Sequence, residues 1–385
     1  MTRTHAMSPR VAFVLTQDSG GPVDVTVALA AALVEAGVEV RVFGPEPRRG
    51  AERIAGRHED VVVARKGDVR GARRVRAAVR AWRPDVVHAQ DRRAGLVAAG
   101  LRRELPVVHT YHGVPDDVTE PWFRGRTGAP PPSAYTRTVL AADAVVARLV
   151  ARTVVPADAM GAFLRRRLRV PADRVVHLDN AVELPDPAPP SGAVRRLVFV
   201  GLLVERKGLR TLLDALAIPG TMPPDATLTV VGDGPERAAA ERSATRRELA
   251  GRVRFLGFRT DVPRLLREHD ALVLPSTMEQ QPLVVAEAMA AGKPVLATET
   301  GGVADMLGAH ARLAAPGDVA GLAAGLRELF AEPDPGRAGR LLAAAARERF
   351  APEVSARRHL ALYRRLIPAP ASPAPPRRRR PARPG

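Results

Sequence analysis

Short runs of consecutive apolar residues recur along the chain, separated by stretches in which apolar residues return every three or four positions. The runs read as strands buried on both faces, the stretches as amphipathic helices. Residues 11–15 (VAFVL) are the first run. Ser19-Gly20-Gly21-Pro22 predicts a turn, residues 23–36 a helix closed by Gly37, and residues 38–43 the next strand. This order implies a parallel pair with a crossover helix. The alternation continues with strands expected at 61–64, 85–89, 106–110 and 144–147 and a basic helix at 69–82. Residues 186–191 (DPAPPS) interrupt it. Beyond them, strands are expected at 197–200, 228–231, 253–256, 271–274 and 294–297, and helices at 209–216, 319–330, 338–350 and 354–367.

The pattern predicts an α/β chain of two doubly wound, Rossmann-like domains facing a cleft. The expected division is a first Rossmann-like domain at 1–188, a second at 189–350 and a helix at 351–367 that crosses back to the first domain. Residues 368–385, proline and arginine for the most part, carry too little apolar content to fold and read as a disordered basic tail. In open α/β sheets ligands sit beyond the carboxyl ends of the strands, so motifs on the loops that open into helices carry the most weight.

Composition narrows the chemistry. A chain of 385 residues, 46% of them hydrophobic, can bury two cores. It has no cysteine, which excludes disulfides, thiolate metal ligands and cysteine nucleophiles and fits a cytoplasmic setting. The first apolar run is too short for a signal sequence, and no run approaches membrane-spanning length. The formal charge is +18, with Arg377 to Arg380 and Arg383 in the tail. Residues 1–190 hold 29 basic and 21 acidic groups. This surplus fits either solvated helix faces or attraction to an anionic partner. Residues 69–82 and 163–170 (FLRRRLRV) mix arginine with apolar residues, which suits peripheral contact with an anionic membrane. Nucleic-acid binding is not expected, because few aromatics are interleaved with the basic residues.

The strongest constellation is a strand (residues 271–274), a loop through Glu279 to Pro282, and a helix through Leu283, Val284 and Glu287. Pro282 suits the first helical position, and the free amides that follow can hold a phosphate. Carboxylates on either side would be repelled by that anion but accept hydrogen bonds from hydroxyls. A ligand with hydroxyls on both sides of a phosphate is a nucleotide sugar. Two glutamates eight apart near a helix start also fit a surface pair favoured by the helix dipole.

The segment resembles the glutamate–seven residues–glutamate motif of glycosyltransferase family 4, retaining enzymes of the GT-B fold. The likeness runs on through Glu287-Ala-Met-Ala-Ala-Gly-Lys-Pro-Val295 and Thr300-Gly-Gly302. Phe199 to Gly208, Val230 to Pro235, Gly20-Gly21, Pro84 to His88 and His109 to Gly113 resemble further blocks in the family's order. The resemblance implies transfer of a sugar from a nucleotide-diphosphate donor to an acceptor hydroxyl with retained configuration, a hexosyltransferase-type reaction needing no metal or other cofactor. The acceptor would be a carbohydrate, a lipid-linked molecule or a small molecule. Glu287 would bind the donor ribose, Glu279 the transferred sugar, and Lys207 the leaving diphosphate. His112 would sit under the sugar. Gly20, Gly21, Arg206, Pro282, Leu283 and Val284 would complete the donor site. His88 and His109 read as structural.

Some positions depart from the family pattern. Leu202 stands where an arginine usually clamps the diphosphate, Gln280-Gln281-Pro282 where glycine–phenylalanine–glycine is usual, and Ala181 replaces a glycine. Arg148 replaces a serine that often follows the first domain's last strand in the family. These departures leave open a catalytically impaired GT-B-like binding or scaffold protein. A nicotinamide-dependent oxidoreductase would need Gly-x-Gly-x-x-Gly after a strand, which neither Gly20-Gly21 nor Gly232-Asp-Gly234 supplies.

Overall fold

A computed structural model describes residues 8–367. The tail expected to be disordered lies outside the described residues. The first half holds seven strands: β1 (Arg10–Val14), β2 (Glu39–Gly44), β3 (His58–Asp60), β4 (Val86–Ala89), β5 (Val107–Thr110), β6 (Arg152–Val155) and β7 (Val175–His177). The second holds six: β8 (Arg196–Val200), β9 (Thr227–Val231), β10 (Val253–Phe255), β11 (Ala271–Leu274), β12 (Val295–Thr298) and β13 (Arg312–Ala314). Every pairing is parallel.

The sheet orders are β3-β2-β1-β4-β5-β6-β7 and β10-β9-β8-β11-β12-β13. Each reverses direction between its first and fourth strands, so each half has one switch point, at β1/β4 and at β8/β11. Helices cover both faces. That is why Val11, Ala12, Phe13 and Val14 are all fully buried and show no alternation. The linker is pinned to the second half by Ala188 N–H donating to Ala291 O (2.9 Å) and by the buried Lys293 ammonium on the Ala188 carbonyl. The helix Pro352–Leu366 returns to the first half. Its Ala356, Leu362 and Tyr363 join the core under helix Gly21–Glu35, and the Tyr363 hydroxyl hydrogen-bonds His88 Nδ1 (2.6 Å).

Several expected elements differ. Residues 61–64 are irregular, and the strand precedes them at β3. As an edge strand, β3 needs no apolar run, while the three valines after it turn over the helix Val69–Trp82. Residues 144–147 lie in the helix Ala134–Leu149, where Leu140, Ala144 and Ala147 follow helical spacing into the core. A four-residue apolar run does not separate strand from buried helix. The strand expected there is β6, so the position after it is Pro156 rather than Arg148, which instead donates to the carbonyls of Leu168 and Arg169. The short edge strands β7 and β13 lie outside the expected strands.

Among the described residues, no helix is long and apolar enough to cross a membrane. In the two basic segments Val75, Val79, Phe163, Leu164, Leu168 and Val170 are buried in the core, so arginines face solvent and no apolar face remains for insertion.

Candidate active site

The loops after β1, β5, β8 and β11 open toward one another across the cleft. Between them lies a cavity of about 310 Å3 lined by Gly21, His112, Arg206, Lys207, Glu279, Pro282 and Leu283. Seven of the sequence-nominated residues thus share one space. Glu287 lines an adjoining hollow of about 290 Å3, and Leu283 lies in the wall between the two. A third hollow, of about 410 Å3, is lined by Gly21, Gly201, Leu202, Gly232 and Phe258. Gly20 and Val284 line none of the three. Gly20 caps the helix Gly21–Glu35, and Val284 lies half-buried in the first turn of its own helix.

The helix Leu283–Ala290 starts at Leu283 as expected, with Pro282 as its cap rather than its first helical residue. Pro282 O accepts from Val285 N–H (3.0 Å), and the amides of Leu283 and Val284 have no earlier turn to donate to. Because proline stands at the cap rather than in the first turn, it removes neither of these two donors.

Glu279 and Lys207 form an ion pair, with Nζ 2.5 Å from Oε1. The same oxygen accepts from the Ser276 hydroxyl at 2.8 Å, so the buried Ser276 fixes the carboxylate from below. Lys207 is carried on the one-turn helix Glu205–Lys207 after β8, and its stem lies along Gly201. Beside it Arg206 reaches across the cleft to Asp116, 3.3 Å away.

His112 Nε2 donates to Gln90 Oε1 at 3.1 Å, because an amide oxygen only accepts, which places the ring proton on Nε2. Burial, then His109 and His359, push its pKa down to about 3, so the ring is neutral at physiological pH. His88 is fully buried, with Thr110 Oγ1 2.7 Å from Nε2 and Tyr363 on Nδ1, which is a structural setting. The loop carrying His112 is braced from behind. Arg92 pairs with Asp143 (2.9 Å) and donates to Gly113 O (3.1 Å), and the Tyr111 hydroxyl donates to the same Asp143 (2.8 Å).

Glu287 faces its hollow with no ion-pair partner among the described residues. Burial pushes its pKa up to about 7; Arg49 works against that shift, while Asp24 and Glu183 add to it.

Sequence reasoning noted Gln281 only as a departure. In the structure it is a buried latch: Nε2 donates to Asp179 Oδ1 (2.6 Å), and Oε1 accepts from Asn180 N–H (2.7 Å). It ties the Glu279 loop to the segment joining the two halves. Burial raises the Asp179 carboxyl, but His177 and Arg349 outweigh it and hold it at about 2. Two consecutive glutamines in a loop gave no local signal of this contact, because its partners lie about a hundred positions away.

Residues 19–185 match the family described as Glycosyltransferase Family 4, and residues 194–332 match that described as Glycosyl transferases group 1. The chain belongs to glycosyltransferase family 4. Within the family, the glycogen synthase of Mycobacterium tuberculosis is 30% identical over 284 residues, 70% of this chain and 65% of that protein. The family-4 chain therefore spans less than two thirds of that relative's length. The 2-deoxystreptamine glucosyltransferase of Streptomyces kanamyceticus is 38% identical over 141 residues, 36% of each chain. In fold, the family-4 chain resembles Anabaena HepE, solved in complex with UDP: the TM-score is 0.76 at 20% identity, covering 93% of this chain and 100% of that one. The two halves and their cleft are the GT-B arrangement.

Proposed function

We propose that this protein transfers a sugar from a nucleotide-diphosphate donor to an acceptor hydroxyl with retention of configuration. The observation that carries the reading is the placement of His112, Lys207, Glu279 and the start of helix Leu283–Ala290 around one cavity, with Glu287 in the next. The helix start and Lys207 supply positive potential for the diphosphate. Glu287, across the Leu283 wall, accepts from the ribose diol, and Glu279 accepts from hydroxyls of the sugar through Oε2, since Oε1 is held by Ser276 and Lys207. Leu202 and Phe258, 57% and 71% exposed, offer apolar walls for the base in the third hollow. That HepE binds UDP supports a nucleotide in this cleft.

In this reading the bond between the anomeric carbon and the diphosphate breaks first, with charge building on the leaving oxygen and on an oxocarbenium-like carbon. Lys207 and the amides stabilise the former. A neutral His112 can sit close to the latter, whereas an imidazolium would repel it. The acceptor hydroxyl attacks from the face the diphosphate leaves and passes its proton to the departing phosphate oxygen. The acceptor, a carbohydrate, lipid-linked or small molecule, enters from the first half. Any contact with an anionic membrane there would be electrostatic, through exposed arginines such as Arg73 and Arg74, because the apolar residues are buried. A scaffold role is not favoured, since Lys207, Glu279 and His112 converge on the same space.

The test is incubation with UDP-, GDP-, ADP- and dTDP-sugars, measuring released nucleoside diphosphate and the anomeric proton signal of the product before it equilibrates. Release from one donor class with retained configuration is expected; no release from any donor overturns the reading.

Donor binding should also depend on pH. A carboxyl raised to about 7 is protonated below that value and loses acceptor capacity for the diol. Affinity for the preferred nucleoside diphosphate should therefore rise as pH increases from about 6 to about 8. At the acid end binding should release a proton. Titration calorimetry in buffers of different ionisation enthalpy reads both. A flat profile contradicts the role given to Glu287.

A further inference from the structure

We propose that Arg49, reaching in from the first half of the chain, is a binding residue for the donor diphosphate; this inference rests on the nucleotide-sugar reading above. Arg49 lines both the Glu287 hollow and the hollow beneath Leu202 and Phe258. It does not line the cavity of Lys207 and the helix start, but both of its hollows adjoin that cavity, at Leu283 and at Gly21, so this half-exposed side chain borders the path from the ribose to the diphosphate.

The ion pairs of the three hollows single it out. Lys207 is held by Glu279 at 2.5 Å, Arg206 by Asp116 at 3.3 Å and Arg259 by Asp261 at 2.8 Å, while Arg53 is in close contact with Glu183. The guanidinium of Arg49 comes only to 3.9 Å from Asp24, and its side chain is 49% exposed. It is the one lining cation among the described residues whose charge no short ion pair takes up. A dianionic group entering this space needs such a charge, and a guanidinium suits it because its fork of N–H groups matches phosphate oxygens.

The loop that carries Arg49 is fixed on both sides. Arg48 N–H donates to Asp18 O (2.9 Å), and its guanidinium donates to the Asp18 carboxylate (2.7 Å). Gly50 adopts φ +72 and lies so close to Val27 that a Cβ there would come within 2.9 Å of it. The position of Arg49 is thus set before a ligand arrives, which lowers the ordering cost of binding. The opposing possibility is that Arg49 only offsets the acidic charge of Asp24, Glu183 and Glu287.

Phosphate-specific loss separates the two. Dissociation constants are measured for wild type, Arg49→Ala and Arg49→Lys with UDP, GDP, ADP and dTDP and with the matching nucleosides, using displacement titration for the weak ones. For the base that wild type prefers, Arg49→Ala should weaken the diphosphate by about tenfold or more and the nucleoside by less than about twofold, with Arg49→Lys between. Unchanged diphosphate binding, or equal weakening of diphosphate and nucleoside, overturns this inference and leaves the proposed function standing. Failure of wild type to bind any diphosphate takes down both. Unaltered thermal melting of the exposed Arg49 variants confirms that the comparison concerns binding.

Discussion

Lys207→Met should lower kcat for the preferred donor by about 100- to 1,000-fold, the cost typical of removing one group that stabilises developing charge. KM should change far less, because the interaction matters most once the diphosphate carries its leaving charge. Methionine keeps most of the stem that lies along Gly201. The variant has a structural cost too: Glu279, with 9% of its side chain exposed, would keep only Ser276 as partner. An uncompensated, largely buried carboxylate destabilises the fold by a few kcal/mol. The double variant Lys207→Met/Glu279→Gln removes that charge. It should recover much of the melting temperature and none of the turnover. If stability and turnover recover together, Lys207 is a structural partner of Glu279 and the charge-stabilising role fails.

Gly301→Ala should be nearly as damaging, through geometry rather than charge. Gly301 has φ +49, and a Cβ built there would lie 1.8 Å from Glu279 O and 2.9 Å from the Gln280 Cα. These are backbone atoms, so the loop bearing Glu279 must move. The same glycine docks the two halves: Arg124 donates to Gly301 O at 3.0 Å, and Glu120 lies 3.4 Å from Gly301 N. A shift of about 1 Å at a site of this kind can cost on the order of 100-fold in kcat/KM. Steady-state kinetics check the loss, and far-ultraviolet circular dichroism checks that the sheets persist. Activity within about threefold of wild type would mean that the Glu279 loop does not set the reacting geometry.

Both effects act at places the sequence marked in different ways. Helices such as Val69–Trp82, Leu209–Leu216 and Val319–Phe330 are recovered to the residue, since each joins a helical apolar period to a clear start and stop. The central strands are recovered to within a residue or two because burial on both faces makes them continuous apolar runs. The edge strand β3 carries no such run, and the 144–147 run was too short to tell a strand from one face of a buried helix. At the site, Lys207, Glu279 and Glu287 were visible because their spacing around a strand, a loop and a helix start is local. The Gln281 latch, the Ser276 support and the Arg92–Asp143 brace were not. Each joins residues that only the fold brings together or, for Ser276, depends on which way a loop turns. Arg49 was hidden for another reason: in a chain with 59 lysines and arginines, one more arginine carries no signal until its neighbours are known to be paired.

The central claim is that two carboxylates grip hydroxyls on either side of a phosphate held at the start of helix Leu283–Ala290. Its most direct test is a binding titration of wild type and Glu287→Gln with UDP, GDP, ADP and dTDP at pH 8, where Glu287 is ionised. The account predicts that wild type binds one of these selectively and that Glu287→Gln weakens it by about tenfold or more, in line with loss of charge-assisted hydrogen bonds to the ribose. Equal affinity in the two proteins, or no binding of any diphosphate by wild type, would contradict it.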